Sequence, residues 1–496
     1  MKPSETPIMP KTFGRCQLLI EVAAFVVLAA ASSLWFAPGD AVTVAAAMAV
    51  AYALPVALFR HSGAYSATGR YVMLAIAVTM AVFATMGIWH CTLWHGHSLA
   101  DPVLFSDDSS YWNWAVKYSG NGGGEEELHR TAFPGLPLLS ALLLKLLGTS
   151  VVWPIAMNCT FTLTAILLFA LAARNMLQGK VEAQPARVVW VAMVMCGVLF
   201  YFLSQGIRLQ KEASMYLGMG AASYVFSKMC CGSRLGWRDW LAFAVAMLIM
   251  ALVRTTYVYF VMLGAAVALV PMLRQRQWVQ PLALLAVTAA AFAVGNFFAI
   301  YSIDHHVAIV EGGNSMKRLY VVGPTQQPYL DMLGNYFNYP VWKRLLLLPL
   351  TSAVQFVIPF PWIYGGVQLS DVLTRCGWGW YAVGGTAMFY YLWCVAKRSN
   401  PLGALAWWPP LCFAVTAYVV AGSLNRYALP IEPLFVPMAV YVLCKVREGV
   451  LARPFKWWCV AFGVALAVTL VLCYRVQIGY LDGLEKYYQT LKLLRG

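Results

Sequence analysis

The sequence predicts an all-α polytopic membrane protein. Of its 496 residues, 61% are hydrophobic and only 11% are charged, whereas an ordinary soluble domain carries about 25% charged residues. The mean hydropathy is +0.67. Many apolar runs approach or exceed the roughly 20 residues that cross a bilayer. These observations exclude a soluble protein, and the net charge of +15 is better explained by basic loops at a membrane than by nucleic acid.

The apolar runs predict about thirteen transmembrane helices. Two further apolar stretches, 133–148 and 346–364, are interrupted by proline and adjoin long polar loops. We expect both to lie in, or dip into, one face of the membrane. The predicted spans are residues 17–36, 41–59, 71–94, 150–173, 188–204, 213–230, 239–253, 255–273, 279–301, 376–396, 401–421, 428–445 and 457–474.

Basic residues predict the orientation of these spans. With the N-terminus in the cytoplasm, more than half of the 35 Lys and Arg residues fall in cytoplasmic connections, as the positive-inside rule requires. Acidic residues collect outside, in a loop over 95–132. We therefore expect an integral protein of a plasma membrane, the inner membrane if the cell is bacterial, with its functional face outside.

Long external loops suggest how the chain is organised. Loops of about forty residues on one face of a helical scaffold are where function usually lies. We divide the chain into a cytoplasmic tail with a transmembrane hairpin (1–70), a membrane core with the acidic loop 95–132 (71–301), a second external loop with a surface or re-entrant helix (302–375), C-terminal transmembrane helices (376–475) and a tail (476–496).

Adjacent carboxylates open the first external loop in FSDDSSYW, residues 105–112. Adjacent carboxylates repel, and exclusion of water favours their neutral forms. Aromatic residues surround the pair, and a short helix would bring Asp108, Tyr111 and Trp114 to one face. A carboxylate beside an aromatic-lined cavity suits a general base, although a solvated acidic loop is the ordinary alternative. We predict that Asp107 and Asp108 are catalytic.

Several basic residues share the external side with this acidic pair, against the positive-inside bias. Arg254 interrupts a run of about 35 apolar residues, so it marks either a tight turn between two spans or a group that reaches into a cavity. Interfacial anchoring would explain any one base, but several together need an anion, and a phosphate suits them. The predicted phosphate-binding residues are Arg130, Arg208, Lys211, Arg254 and Arg426.

Other motifs are weaker. WHCTLWHGH at 89–97 brings His and Cys together, but no second pair has matching spacing, so an interfacial cluster is favoured over a zinc site. Walker A, GxGxxG and GxSxG patterns are absent, and cytosolic nucleotide chemistry therefore has no support.

The order of these motifs resembles the GT-C superfamily of integral-membrane glycosyltransferases. It is most similar to the bacterial branch related to protein O-mannosyltransferases and the lipid A aminoarabinose transferase. The matching residues are Asp107-Asp108 with Tyr111, the helix AFPGLPLLSALLLKLLG, Arg208 with Lys211-Glu212, the PFPW stretch at 359–362, and Arg426-Tyr427 with Pro430 and Pro433. The acidic loop follows the third predicted span, whereas the family usually places it after the first.

The resemblance implies a sugar donor carried on polyprenyl phosphate, undecaprenyl phosphate in bacteria. The acceptor would be a cell-envelope lipid-linked glycan, lipopolysaccharide, polysaccharide or protein. One Asp, with Asp107 slightly favoured, would deprotonate the acceptor, and transfer would invert the anomeric centre. The resemblance leaves open a divalent metal, Mg²⁺ or Mn²⁺, near the pair. The residues expected to contact the sugar or acceptor are Tyr111, Trp112, His129, Glu212 and Tyr427.

Two other functions remain open from the sequence. A transporter or flippase of lipid-linked or anionic solutes would need charges along a path at mid-membrane and internal repeats, whereas here the charges cluster on one face. An O-antigen ligase or polymerase would depend on Arg and His in the loop 302–345 rather than on the Asp pair.

Overall fold

The computed structural model describes residues 11–59, 66–104, 107–120, 134–274, 279–300, 336, 339–357, 377–420 and 425–495. Within these ranges the chain forms α-helices and short 3-10 helices and no strand. The predicted all-α class is therefore confirmed.

Each predicted span overlaps a helix of the structure. The helices are α1 (Lys11–Ser32), α2 (Pro38–Phe59), α3 (Ala67–Cys91), α4 (Asp107–Tyr118), α5 (Gly135–Leu147), α6 (Val152–Leu177), α7 (Pro185–Gly197), α8 (Phe200–Gly206), α9 (Glu212–Cys230), α10 (Trp237–Arg254), α11 (Thr256–Arg274), α12 (Val279–Ile300), α13 (Val341–Leu346), α14 (Leu348–Val357), α15 (Trp378–Lys397), α16 (Trp408–Val420), α17 (Val436–Arg447) and α18 (Ala452–Arg495). Short 3-10 helices lie at Leu93–His95, Ala404–Trp407, Asn425–Tyr427 and Glu432–Phe435.

Four helices of the described ranges are long and apolar enough to cross a bilayer. They are Pro38–Ala57, Ala67–His95, Val152–Leu177 and Ala452–Leu472. α7 and α8 pass the same test only together, with a bend of 77° between them, as a broken span or a re-entrant loop. Further apolar segments have 10–17 residues within the described ranges, and the thirteen predicted spans stay a prediction. These helices make the chain an integral membrane protein.

The structure divides into two compact units. The first comprises Met1–Gly123, Leu136–Leu163 and Gly206–Ala213. In it α1, α2 and α3 pack on one another. Arg70 Nη2 lies 2.8 Å from Glu21 Oε1, and this partly buried ion pair ties α3 to α1. Ser66 caps α3 by accepting a 3.1 Å hydrogen bond from the amide of Gly69, which satisfies one of the exposed donors at the helix start.

The second unit comprises Gly124–Gly135, Thr164–Gln205 and Ser214–Gly496. In it α10 packs on α11 and α12, and α15 packs on α17. Trp408 donates a 2.8 Å hydrogen bond from Nε1 to the carbonyl of Phe260, so a large buried side chain is also satisfied. The backbone comes so close at Gly379 that a Cβ there would lie 1.6 Å from the Val198 carbonyl oxygen. The domain boundaries given by the sequence stay a prediction.

The last helix extends well beyond a bilayer. α18 has 44 residues and is therefore roughly 66 Å long, about twice the hydrocarbon thickness. Its apolar part, Ala452–Leu472, is only 6% buried within the protein, which suits a surface that faces lipid. The predicted tail continues the last span as part of the same helix, which ends at Arg495.

Candidate active site

The acidic pair lies at the start of a short helix. Asp107 and Asp108 form the first turn of α4, where the positive end of the helix dipole stabilises negative charge. The buried face of this helix carries Asp108, Trp112 and Ala115, at the i, i+4, i+7 spacing of one helical stripe. The short helix expected here is present. Tyr111 and Trp114 are half-buried beside that stripe.

Asp108 is buried and both of its carboxylate oxygens accept hydrogen bonds. Only 6% of the residue is exposed. Arg208 Nε donates to Oδ2 over 3.1 Å, and Gln210 Nε2 donates to Oδ1. Buried carboxylates need such partners, because an unpaired charge away from water is costly. The structure thus brings Asp108 and Arg208 together within the first unit.

Burial dominates the acidity of Asp108. It raises the pKa of this carboxyl above its usual value, while the charge of Arg208 and the hydrogen bonds from Gln210 and Arg208 lower it by less. The neighbouring carboxylate of Glu212 adds to the increase. Proton affinity at this position is thus controlled by exclusion of water and by one guanidinium.

A buried asparagine fixes the turn at residues 208–210, whose side chains Arg208 and Gln210 hold Asp108. Asn158, in α6, is fully buried. Its Nδ2 donates to the carbonyl of Arg208 over 2.6 Å and to the carbonyl of Gln210 over 2.9 Å. Both N–H groups of one amide thus bind the two residues that contact Asp108. The geometry at the carboxylate depends on this third residue, which touches the backbone of both.

Two charged side chains follow the turn. Lys211 Nζ lies 6.0 Å from the ring centroid of Tyr111, at the outer limit of a cation–π contact. Glu212 begins α9 and is fully buried.

Arg208 makes its side-chain hydrogen bond among the described residues through Nε, and its side chain is 41% exposed. Its two Nη groups are therefore available to an anion.

Another predicted group lies in the second unit. Arg254 ends α10 and α11 begins at Thr256, which confirms the break between two helices. The Arg254 guanidinium lies 4.4 Å from the ring centroid of Tyr427. Tyr257 supports this arrangement, because its hydroxyl donates a 2.7 Å hydrogen bond to the Tyr427 carbonyl. Arg426 precedes Tyr427 in the 3-10 helix Asn425–Tyr427.

Some predicted residues lie outside the described ranges. These are His129, Arg130 and the PFPW stretch at 359–362. At the 89–97 motif, His90 and His95 have ring centroids 5.3 Å apart in an edge-to-face arrangement.

The donor set at Asp108 does not fit a divalent metal. Across the described part of the chain, no three His, Cys, Asp or Glu side chains come together as a metal-ligating group. Arg208 and Gln210 both donate to the carboxylate oxygens that a metal would need as ligands. Asp108 is therefore held by these two donors and not placed as a metal ligand.

Sequence reasoning missed Gln210 and Asn158. Gln210 lies two residues after Arg208 in the motif that was recognised, but its neutral side chain carried no signal of its own. Asn158 is an isolated amide in the apolar run 150–173. Such a residue inside a predicted membrane span is unusual enough to indicate a specific role.

No protein-family model matches the chain, and a search of curated protein sequences finds no match. Among solved structures the chain is similar to the archaeal oligosaccharyltransferase AglB from Archaeoglobus fulgidus in complex with an inhibitory peptide and a dolichol-phosphate. The identity is 14% and the TM-score 0.39, over 83% of this chain and 56% of that one. A TM-score this low assigns neither a fold family nor a function to this chain.

Proposed function

We propose that this protein is an integral-membrane glycosyltransferase of the GT-C type. It would move a sugar from polyprenyl phosphate, undecaprenyl phosphate in a bacterium, to a cell-envelope acceptor on the external face. One observation carries the proposal: a buried carboxylate, Asp108, is joined to Arg208, and Asp107 lies next to it at the same helix start. Glycosyl transfer from a lipid phosphate needs a base and a cation at one site.

Asp107 is the better candidate for the base. Each oxygen of Asp108 accepts one hydrogen bond, from Arg208 or from Gln210, and the residue is buried, so an acceptor hydroxyl reaches it less easily. Asp107 is less buried than Asp108 and is more accessible to an acceptor. Asp108 would hold Arg208 in place and keep negative charge beside the acceptor.

The transfer step follows from these roles. Asp107 takes the proton of an acceptor hydroxyl while the oxygen of that hydroxyl attacks the anomeric carbon. The bond from that carbon to the phosphate oxygen breaks, and the lipid phosphate leaves with the electron pair. Arg208, through its Nη groups, and Lys211 stabilise the charge that develops on this phosphate. Attack opposite to the leaving group inverts the anomeric configuration.

Donor binding tests the cationic half of this proposal. Purified protein is titrated with undecaprenyl phosphate, and we expect Arg208→Gln to raise the Kd at least tenfold, because a charge-assisted hydrogen bond contributes about 1.5–3 kcal/mol. Arg238→Gln, at the start of α10, serves as the control for loss of a surface charge. An unchanged Kd in Arg208→Gln would exclude Arg208 from the phosphate site.

A further inference from the structure

A second pair of cations lies on a helix that the proposed chemistry does not use. α13 and α14 are nearly continuous, because Leu347 N donates to the Lys343 carbonyl over 3.2 Å and Thr351 N donates to the Leu347 carbonyl over 2.9 Å. This segment combines Lys343 and Arg344 with exposed apolar side chains, a composition typical of the membrane–water interface. The exposed side chains are Val341, Trp342, Leu345, Leu346 and Leu350.

Aromatic rings hold both cations. The Arg344 guanidinium lies 4.8 Å from the ring centroid of Tyr418, and Lys343 Nζ lies 3.5 Å from that of Tyr339. Tyr418 is itself held, since its carbonyl accepts a 2.9 Å hydrogen bond from the Tyr336 hydroxyl. These contacts use the ring faces and leave the N–H groups of the cations for other acceptors.

No anion within the described residues neutralises this pair. Arg344 Nε is shielded from solvent and has no hydrogen-bond partner there. Neither Lys343 nor Arg344 forms an ion pair with any described carboxylate. A partly buried guanidinium with an unsatisfied donor is costly, so an anionic ligand would stabilise this arrangement.

α14, which follows α13 almost without a break, borders an apolar cavity of about 420 Å³. This volume lies within the roughly 300–1,000 Å³ of small-molecule sites. Among the described lining residues, Ser352 and Tyr391 alone carry a hydroxyl, and the Tyr391 hydroxyl already donates to the Ala406 carbonyl over 2.7 Å. The lining is therefore suited to a hydrocarbon chain. It comprises Pro349, Ser352, Ala353 and Phe356 of α14, Trp380, Gly384, Met388 and Tyr391 of α15, Pro410, Phe413 and Ala414 of α16, and Phe435.

The cationic pair and the cavity adjoin along both helices. With about 1.5 Å of rise per residue, Pro349 lies roughly 7.5 Å along the axis from Arg344. On α16, Tyr418 is one turn from Ala414, which lines the cavity. The groove between α14 and α16 thus has a basic end and an apolar body.

We propose that this groove binds one anionic phospholipid of the surrounding bilayer, with its phosphate on Arg344 and Lys343 and an acyl chain in the cavity. A polar or sugar ligand would find few hydrogen-bond partners in the lining. A neutral hydrocarbon would leave both cations without an anion. The bound lipid stabilises the second unit and takes no part in transfer.

Native mass spectrometry of the full chain tests this site. Protein is released from nanodiscs of equimolar dioleoyl phosphatidylglycerol and dioleoyl phosphatidylcholine. We expect the wild type to retain one phosphatidylglycerol and little phosphatidylcholine. Arg344→Gln should lower this retention about tenfold or more, by removing the charged donor. Ala414→Phe should do the same by filling the cavity.

Matched controls separate this site from a general membrane charge effect. Arg238 lies 5.5 Å from the exposed ring of Trp237 and is not among the described residues that line the 420 Å³ cavity, so Arg238→Gln should keep wild-type retention. Ser352→Leu replaces Ala414→Phe if the latter fails to fold in a thermal scan. Glycosyl transfer by Arg344→Gln should equal that of the wild type.

Three results would overturn the assignment. The first is equal retention of the two phospholipids. The second is equal loss in Arg344→Gln and Arg238→Gln. The third is displacement of phosphatidylglycerol by added undecaprenyl phosphate, which would assign the groove to the donor instead.

Discussion

Replacing Asn158 by Leu should uncouple the turn that holds Asp108. The amide of Asn158 donates to the carbonyls of Arg208 and Gln210 over 2.6 Å and 2.9 Å. Leu has a similar shape and fills the same buried space, so the substitution removes two hydrogen bonds without opening a cavity. The turn then loses the contacts that fix its position relative to α6.

The expected cost follows from the two carbonyls left without donors. Each unsatisfied buried group costs about 1–3 kcal/mol, so the free energy of unfolding should fall by roughly 2–6 kcal/mol. Displacement of the turn by about 1 Å would lower kcat on the order of 10²-fold. Arg208 provides the largest effect that lowers the pKa of Asp108. Weakening that contact should raise this pKa further.

The pH profile of glycosyl transfer distinguishes positioning from general destabilisation. A higher pKa keeps Asp108 protonated up to a higher pH, and a protonated Asp108 no longer holds Arg208 by charge. The acid limb of kcat should therefore move upward in Asn158→Leu. Asn175→Leu is the matched control, because this buried amide on the same helix donates to Ser227 Oγ over 3.2 Å. It should lower Tm without moving the acid limb. A lowered Tm with an unchanged pH profile in Asn158→Leu would show that Asn158 stabilises the fold without positioning Asp108.

Two further substitutions probe the second unit. Gly379→Ala would place a Cβ 1.6 Å from the Val198 carbonyl oxygen, so we expect a lower Tm or failure to fold. Gly463→Ala is the control, because a Cβ there would have nothing within 4 Å and should keep the wild-type Tm. The same Tm in both variants would contradict this prediction. Tyr257→Phe removes the hydroxyl that holds the Tyr427 carbonyl, and it should lower the free energy of unfolding by about 1–3 kcal/mol, because a carbonyl loses its donor. An unchanged Tm in Tyr257→Phe would show that this hydrogen bond does not stabilise the second unit.

Local patterns in the sequence were enough to predict many helices. A charged residue in an apolar run marked the break at Arg254, where α10 ends. Serine, aspartate and aromatic spacing indicated the short helix at Asp107. Hydropathy did not reveal that the chain bends by 77° between α7 and α8, within the predicted span 188–204, because an average of side-chain polarity carries no information on backbone direction.

Long-range pairing explains what the sequence did not reveal at the site. Asn158 contacts residues 50 and 52 positions away, and a lone amide in an apolar run indicates a role without naming its partner. Gln210 binds a carboxylate 102 positions away. Charge made Asp108 and Arg208 conspicuous as separate residues, and the fold was needed to join them.

Glycosyl transfer by the Asp107→Asn variant tests directly whether the protein is a glycosyltransferase that uses Asp107 as its base. Asn preserves the size of the side chain and removes the base, so kcat with a polyprenyl-phosphate sugar should fall about 10²–10⁴-fold while the Kd for undecaprenyl phosphate stays within a factor of about three. Asp108→Asn should also lower kcat, because it weakens the hold on Arg208. Wild-type transfer rates in both variants would contradict a glycosyltransferase that depends on this acidic pair.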